Sequence, residues 1–176
     1  MQLSQPYKAK LRNRTVWSRL LGWGLLCYAV ASYGSIVTIP AIPEWYASLS
    51  KPAFSPPNWL FAPVWTILYA MMALSIWLAT EFEKPRGESK EKTPSKFTVQ
   101  VVFLAQLLLN GLWSWAFFGK QEPILALVVL VAIFALVVLS IYLFSKRQPL
   151  AGWLLIPYGA WLLYAGALNT AIILLN

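Results

Sequence analysis

Five apolar stretches, each about as long as a membrane-spanning helix, constrain this 176-residue chain more than any other feature. A helix needs about 20 such residues to cross a hydrocarbon core of about 30 Å. The stretches cover approximately residues 20–39, 59–80, 97–118, 124–144 and 151–175, and none contains Asp, Glu, Lys or Arg. They lack the strict alternation of barrel strands, so helices must satisfy their backbone groups in lipid. The sequence predicts an all-α fold, a five-helix transmembrane bundle.

The composition agrees with a membrane domain. Hydrophobic residues make up 59% of the chain and charged residues only 11%, whereas soluble domains carry about 25% charged residues. A chain of this length forms one compact unit. We therefore divide it into a basic amino-terminal segment, residues 1–19, and a five-span membrane domain, residues 20–176.

The basic residues predict the orientation, because cytoplasmic loops accumulate Lys and Arg. Five spans place twelve of the fourteen basic residues at one end: Lys8, Lys10, Arg12, Arg14, Arg19, Lys84, Arg86, Lys90, Lys92, Lys96, Lys146 and Arg147. Only Lys51 and Lys120 fall at the other end. We expect a cytoplasmic amino terminus. No nucleic-acid partner is expected, because these residues separate hydrophobic runs and form no basic stripe on a folded face.

Residues 1–31 have a second reading as a cleaved signal peptide, since a basic stretch precedes an apolar run and Ala29 and Ala31 resemble a cleavage site. The run of about 20 residues is longer than the usual 7 to 15, so a helix is favoured.

Two loops differ in character. The second, from Glu81, is mixed in charge and poor in apolar residues, which predicts a solvated, mobile connection. The first, IPAIPEWYASLSKPAFSPPNW from Ile39, combines five prolines with aromatic residues. Prolines lower the entropy cost of ordering a loop, so we expect the first loop to pack onto the helices as a lid.

Polar and aromatic residues recur at helical spacing inside three spans. The stripes are Gln106, Asn110, Trp113 and Phe117 in the third span; Pro157, Trp161, Ala165, Leu168 and Asn169 in the fifth; and Pro63, Trp65 and Tyr69 in the second. Such spacing places each set along one helix face. Amides inside a membrane either bond neighbouring helices or bind a ligand, and both readings stay open.

Several chemistries have no residues to support them. The spans hold no charged side chain, which disfavours ion-coupled transport and acid–base catalysis. The chain has no histidine and one cysteine, Cys27, so it offers neither a disulfide nor a His/Cys metal site. We expect no metal, no resident cofactor and no conventional catalytic residue.

Three blocks resemble the TspO/translocator protein family, the tryptophan-rich sensory proteins. They are WYASLSKPAFSPPNWLFAPVWTILYAMM from Trp45, QLLLNGLWSWAFFG from Gln106 and WLLIPYGAWLLYAGALN from Trp153. The resemblance implies a five-helix bundle, often a homodimer, in which the first loop closes a cavity open to porphyrins, haem, bilins, sterols or benzodiazepine-type ligands. The residues implied to bind ligand are Tyr46, Trp65, Asn110, Trp113, Trp161 and Ala165.

The resemblance favours a receptor or transport-type protein for tetrapyrrole trafficking, sensing or stress response. Its alternative is light-dependent oxidative porphyrin degradation, for which the family implies roles for Trp65 and Trp161. A scaffold without a ligand is a third hypothesis. The animal branch's carboxyl-terminal cholesterol motif is missing, since Asn169 follows Leu168, and Val129 replaces that branch's acidic residue in the fourth helix. Cholesterol is therefore disfavoured as the natural ligand.

Overall fold

The protein is an all-helical bundle in the computed structural model, which describes residues 10–83 and 93–176. The helices are α1 (Arg14–Ala41), α2 (Phe61–Glu81), α3 (Lys96–Ser114), α4 (Pro123–Arg147), α5 (Pro149–Trp153) and α6 (Ile156–Leu175). π-helical turns extend α1 over Ile42–Tyr46 and α3 over Trp115–Gly119, and a 3-10 turn at Asn58–Leu60 precedes α2. Five spans are long and apolar enough to cross a membrane, with α5 and α6 together forming the fifth. The predicted fold class is confirmed.

The first helix begins at Arg14, earlier than the predicted start near residue 20. Asn13 caps it by accepting a hydrogen bond from the Thr15 backbone N–H at 3.0 Å. The prediction stopped at the first charged residue, but a helix continues beyond the hydrocarbon core where water solvates its side chains. Residues 14–19 of the predicted basic segment thus belong to α1. Residues 1–9, including Lys8, and residues 84–92 of the second loop lie outside the described residues.

The fifth span is broken between α5 and α6. A proline ring clashes with the carbonyl four residues earlier and removes one helical hydrogen bond. Pro157 therefore disfavours a continuous helix through Trp153, which is the last residue of α5. The helix resumes at Ile156, with Pro157 in its first turn, where a proline is tolerated.

Helix α4 is the centre of the packing, because it contacts α3, α5 and α6, while α1 packs against α2 and α3. The core contains the fully buried side chains of Met72, Phe103, Ile133 and Tyr158, one from each of α2, α3, α4 and α6. Helix α1 contributes few buried side chains and presents much of its apolar surface outward. Four helices thus enclose the interior.

Charged residues tie the helices together at the end of the bundle that holds Arg19 and Arg147, which we term the basic end. Arg19 pairs with both carboxylate oxygens of Glu81 at 2.9 Å. Arg147 is 3% exposed and donates to the backbone carbonyls of Ala79 and Pro94. A buried guanidinium needs such partners, so these bonds fix α4 against α2 and the start of α3.

The first loop is anchored at the opposite end of the bundle. The Tyr164 hydroxyl of α6 donates to the Phe54 carbonyl at 2.8 Å, and the two rings are in contact. The Asn176 side chain accepts from the Ser50 N–H at 2.9 Å and donates to its carbonyl at 3.1 Å. The loop therefore packs onto the helices, as predicted.

Candidate functional site

Four of the six predicted ligand-binding residues surround one small cavity inside the bundle. Trp65 comes from α2, Asn110 and Trp113 from α3, and Ala165 from α6. Leu130, Ile133 and Leu162 complete the lining. Residues far apart in sequence thus converge on one point, which we term the aromatic cavity.

Trp161 stands beside this cavity and contacts one of its walls. Its indole meets that of Trp65 edge to face, with ring centroids 6.5 Å apart and an interplanar angle of 84°. It also contacts Phe61 and Tyr164. Because Tyr164 bonds the first loop, Trp161 connects the cavity wall to the lid.

Tyr46 is not among the residues that line the aromatic cavity. It belongs to a second apolar cluster, where its ring centroid is 6.5 Å from that of Phe117. Phe117 in turn stacks on Trp113 at 5.4 Å and 19°. One aromatic layer therefore separates Tyr46 from the aromatic cavity, and the lining comes from helices rather than from the loop.

The aromatic cavity is nearly filled. Its volume is about 10 Å³, which is roughly the space needed for one water molecule. Among the described residues the aromatic rings pack against one another, and this cavity is too small for a porphyrin. The Trp65 ring, for example, contacts Tyr69, Tyr158 and Trp161.

Asn110 bonds neighbouring helices. It accepts from the Tyr69 hydroxyl at 2.6 Å and donates to the Tyr158 hydroxyl at 2.8 Å. Both tyrosines are buried, and they belong to α2 and α6. Asn110 therefore connects three spans. Of the two predicted alternatives for intramembrane amides, bonding to neighbouring helices applies here, even though Asn110 borders the cavity.

Other buried polar groups have no partner among the described residues. Within the spans they include the Trp113 indole nitrogen, both amide atoms of Gln106 and the amide oxygen of Asn169. Unpaired buried groups are rare and point to water, a ligand or an energetic cost. The Trp113 N–H matters most, because Trp113 lines the cavity. No cluster of three metal-ligating side chains occurs within residues 10–83 and 93–176.

Sequence reasoning missed the aliphatic wall and one hydrogen-bond partner. Leu130, Ile133 and Leu162 resemble any lipid-facing residue in a sequence that is apolar throughout. Tyr158 does carry a signal, because it lies three residues before Trp161 and seven before Ala165. That spacing places it on the same face of α6.

The chain also matches a known protein family. The sequence model described as the TspO/MBR family matches residues 23–175.

The chain belongs to the TspO/MBR family.

Curated relatives agree along most of their lengths. The tryptophan-rich protein TspO of Archaeoglobus fulgidus is 40% identical over 86% of this chain and 93% of its own. The tryptophan-rich sensory protein of Cereibacter sphaeroides is 31% identical over 89% of this chain and 94% of its own. The translocator protein of Bos taurus is 33% identical over 87% of each chain.

The family match spans every residue that lines the aromatic cavity, from Trp65 to Ala165. Membership and the five apolar helices make this TspO/MBR protein an integral, multi-pass membrane protein. The family resemblance drawn from the three sequence blocks is confirmed.

Proposed function

We propose that this TspO/MBR protein is a membrane receptor or transport-type protein that binds tetrapyrroles, namely porphyrins, haem or bilins, or similar flat hydrophobic ligands. Its role lies in trafficking or sensing these molecules or in the stress response to them. The aromatic cavity is the proposed site. Sterols and benzodiazepine-type compounds share the flat apolar character that such a site favours.

The observation that carries the proposal is the aromatic composition of the cavity wall around an unpaired donor. Trp65 and Trp113 supply two indoles, and Trp161 lies against the first. The buried Trp113 N–H has no partner among the described residues. Ligand sites combine apolar aromatic walls with a few placed polar groups, and indoles stack well on a macrocycle.

Binding requires the cavity to open. Ligand pockets usually measure about 300–1,000 Å³, whereas this one holds about 10 Å³. The ring contacts of Trp65 with Tyr158 and Trp161 must therefore rearrange as the ligand enters. Association that needs such a change is slower than ordinary docking.

Haem would be held through its ring rather than through histidine ligation. The chain has no histidine, and Cys27 does not line the cavity. We therefore expect metal-free protoporphyrin and haem to bind with similar affinity.

A cavity-filling variant tests the site. Ala165→Leu places additional atoms in the cavity, so we expect it to weaken protoporphyrin binding by at least about tenfold, measured by absorbance titration in nanodiscs. Ala29→Leu is the matched control, because Ala29 is exposed on α1. Equal affinity for the wild type and Ala165→Leu contradicts this site.

A second candidate function is light-dependent oxidative porphyrin degradation. The contact between Trp65 and Trp161 favours it, because adjacent indoles provide a route for an electron toward a photoexcited macrocycle. In this scheme the macrocycle passes that electron to dioxygen, and the oxidised indole then recovers an electron from the porphyrin. The reduced dioxygen adds to the resulting porphyrin radical, so dioxygen is reduced and the porphyrin is oxidised. Illuminated protein with protoporphyrin must then form a product that protein-free micelles do not, and Trp161→Phe must lose it. An equal product yield with the protein and with protein-free micelles contradicts catalysis.

The orientation and assembly are also proposals. The positive-inside tendency places the basic end in the cytoplasm, and accessibility labelling of single cysteines at residues 51 and 146 tests this. The outward apolar surface of α1 suits a homodimer contact, which crosslinking in native membranes tests.

A further inference from the structure

A second concave site lies at the end of the bundle opposite the basic end. A groove of about 360 Å³ runs between the end of α1 and the π turn that follows α3. Its lining includes Pro40, Glu44, Trp45, Phe118 and Gln121. It shares no lining residue with the aromatic cavity, and its volume lies within the usual range for ligand sites.

The backbone of both helices changes locally to form this groove. Pro40 interrupts the hydrogen-bond ladder of α1 before its π turn at Ile42–Tyr46. Gly119 ends the π turn of α3, and a Cβ there would lie 3.2 Å from the Val37 side chain. Gln121 then adopts a left-handed backbone with φ of 57°. π-helical turns are frequent at functional sites, and here two of them meet.

One wall of the groove is aromatic and fixed in place. The Trp45 ring contacts Phe117 at 5.4 Å and Phe118 at 6.2 Å, both edge to face. Trp45 therefore packs against the interior on one side while lining the groove on the other.

The groove lining carries a negative charge. Glu44 lines it and is exposed, and its carboxylate forms no recorded ion pair or hydrogen bond with the described residues. The two lysines at this end of the bundle contact residues other than Glu44. Lys51 donates to the Leu49 carbonyl and lies over the Tyr46 ring, and Lys120 lies over the Trp115 ring.

The length of α1 and its π turn predicts the depth of the groove in a membrane. Arg19 marks the basic end of α1 by its pair with Glu81. The helical segment from Arg19 to Glu44 is about 37 Å long, at about 1.5 Å per residue. A hydrocarbon core is about 30 Å thick, so we expect the Glu44 carboxylate to reach the polar interface of the bilayer.

We propose that this groove binds a membrane-soluble organic ammonium, with its cationic head between Glu44 and the Trp45 ring and its apolar body against Pro40 and Phe118. A carboxylate attracts the cation, and an indole face adds a cation–π contribution. A neutral or anionic amphiphile lacks both interactions. The site is independent of the proposed tetrapyrrole function.

The test uses 2-naphthylethylamine, which is protonated at pH 7, and the neutral 2-naphthylethanol as a matched probe. Both are titrated calorimetrically into the full chain in dodecyl maltoside, which has no ammonium group, with protein-free micelles subtracted. We expect saturable 1:1 binding of the amine and at least about fivefold weaker binding of the alcohol.

Two Glu→Gln variants of equal size test whether the Glu44 carboxylate binds the amine. Glu44→Gln weakens amine binding by about fivefold, whereas Glu122→Gln, an exposed acid of the same end outside the lining, changes it by less than about twofold. Ala165→Leu leaves amine binding unchanged, which separates this site from the aromatic cavity. Equal affinity for amine and alcohol, an unchanged affinity in Glu44→Gln, or no saturable heat overturns the proposal.

Discussion

Trp65 and Trp161 meet edge to face between α2 and α6, with ring centroids 6.5 Å apart. This contact joins the aromatic cavity to the part of α6 that holds the first loop, because Trp161 also contacts Tyr164. A ligand that inserts beside Trp65 must therefore disturb the Trp161 ring. A chain of aromatic contacts therefore connects the cavity to the residue that bonds the loop.

Asn110→Leu is expected to destabilise the bundle. It removes the shared partner of the Tyr69 and Tyr158 hydroxyls, and each buried hydroxyl left unpaired costs about 1–3 kcal/mol. Thermal unfolding in nanodiscs measures the effect. Tyr28→Phe is the control, because Tyr28 is 70% exposed on α1. An unfolding temperature for Asn110→Leu equal to that of the control argues against the network as a stabilising element.

Gln106→Leu is expected to leave stability unchanged or to raise it. Both amide atoms of Gln106 are buried without a partner among the described residues, so an apolar side chain of similar size removes an unpaired group worth about 1–3 kcal/mol. The same unfolding assay measures it. A marked loss of stability would show that the Gln106 amide is satisfied, for example by buried water.

Gly152→Ala is expected to destabilise the junction of α4 and α5. An added Cβ would lie 1.8 Å from the Ser145 hydroxyl oxygen and 2.8 Å from the Ile141 carbonyl oxygen. The hydroxyl can rotate, but the backbone carbonyl must shift, and overpacking costs about 1–3 kcal/mol. Gly24→Ala is the matched control, since nothing lies within 4 Å of its Cβ position. Comparable unfolding free energies for the two variants refute this close approach.

Tyr164→Phe and Asn176→Ala are expected to loosen the first loop. Each removes a side chain that bonds loop backbone, at Phe54 and Ser50 respectively. Hydrogen exchange of residues 47–57 should then become faster, because the loop has few other polar anchors to the helices. Thr170→Ala is the control, since its hydroxyl bonds only within α6. Unchanged exchange in both loop variants shows that apolar packing alone holds the loop.

The sequence alone predicts the five spans, because a hydrocarbon core requires helices of a certain length and excludes charged side chains. The same criterion placed the start of α1 too late, since Arg14 and Arg19 are helical beyond the membrane core. The fifth span was predicted as one apolar stretch over residues 151–175, and the break at Leu154 and Leu155 lies within it. How far a proline disrupts a span depends on the packing of the next helix, which no local pattern encodes.

The lining of the aromatic cavity was predicted in part; its role as a ligand site stays a prediction. Helical spacing and the family resemblance identified Trp65, Asn110, Trp113 and Ala165, which line one cavity. The hydrogen bonds of Asn110 to Tyr69 and Tyr158 depend on how three helices are arranged in space, so spacing within one helix leaves them undetermined. The closed state of the cavity depends on side-chain rotamers. Tyr46 lies in the π turn after α1 and outside the cavity lining, and this turn has no clear sequence signal.

The most direct test of the tetrapyrrole proposal is quenching of tryptophan fluorescence by protoporphyrin, biliverdin and cholesterol in purified protein. It is repeated on Trp65→Phe and Trp161→Phe, with Trp153→Phe as the control because Trp153 is 68% exposed. We predict saturable quenching by the two tetrapyrroles, weakened by both cavity variants and retained by the control, and little effect of cholesterol. Linear quenching that none of the three substitutions alters would contradict binding in the aromatic cavity.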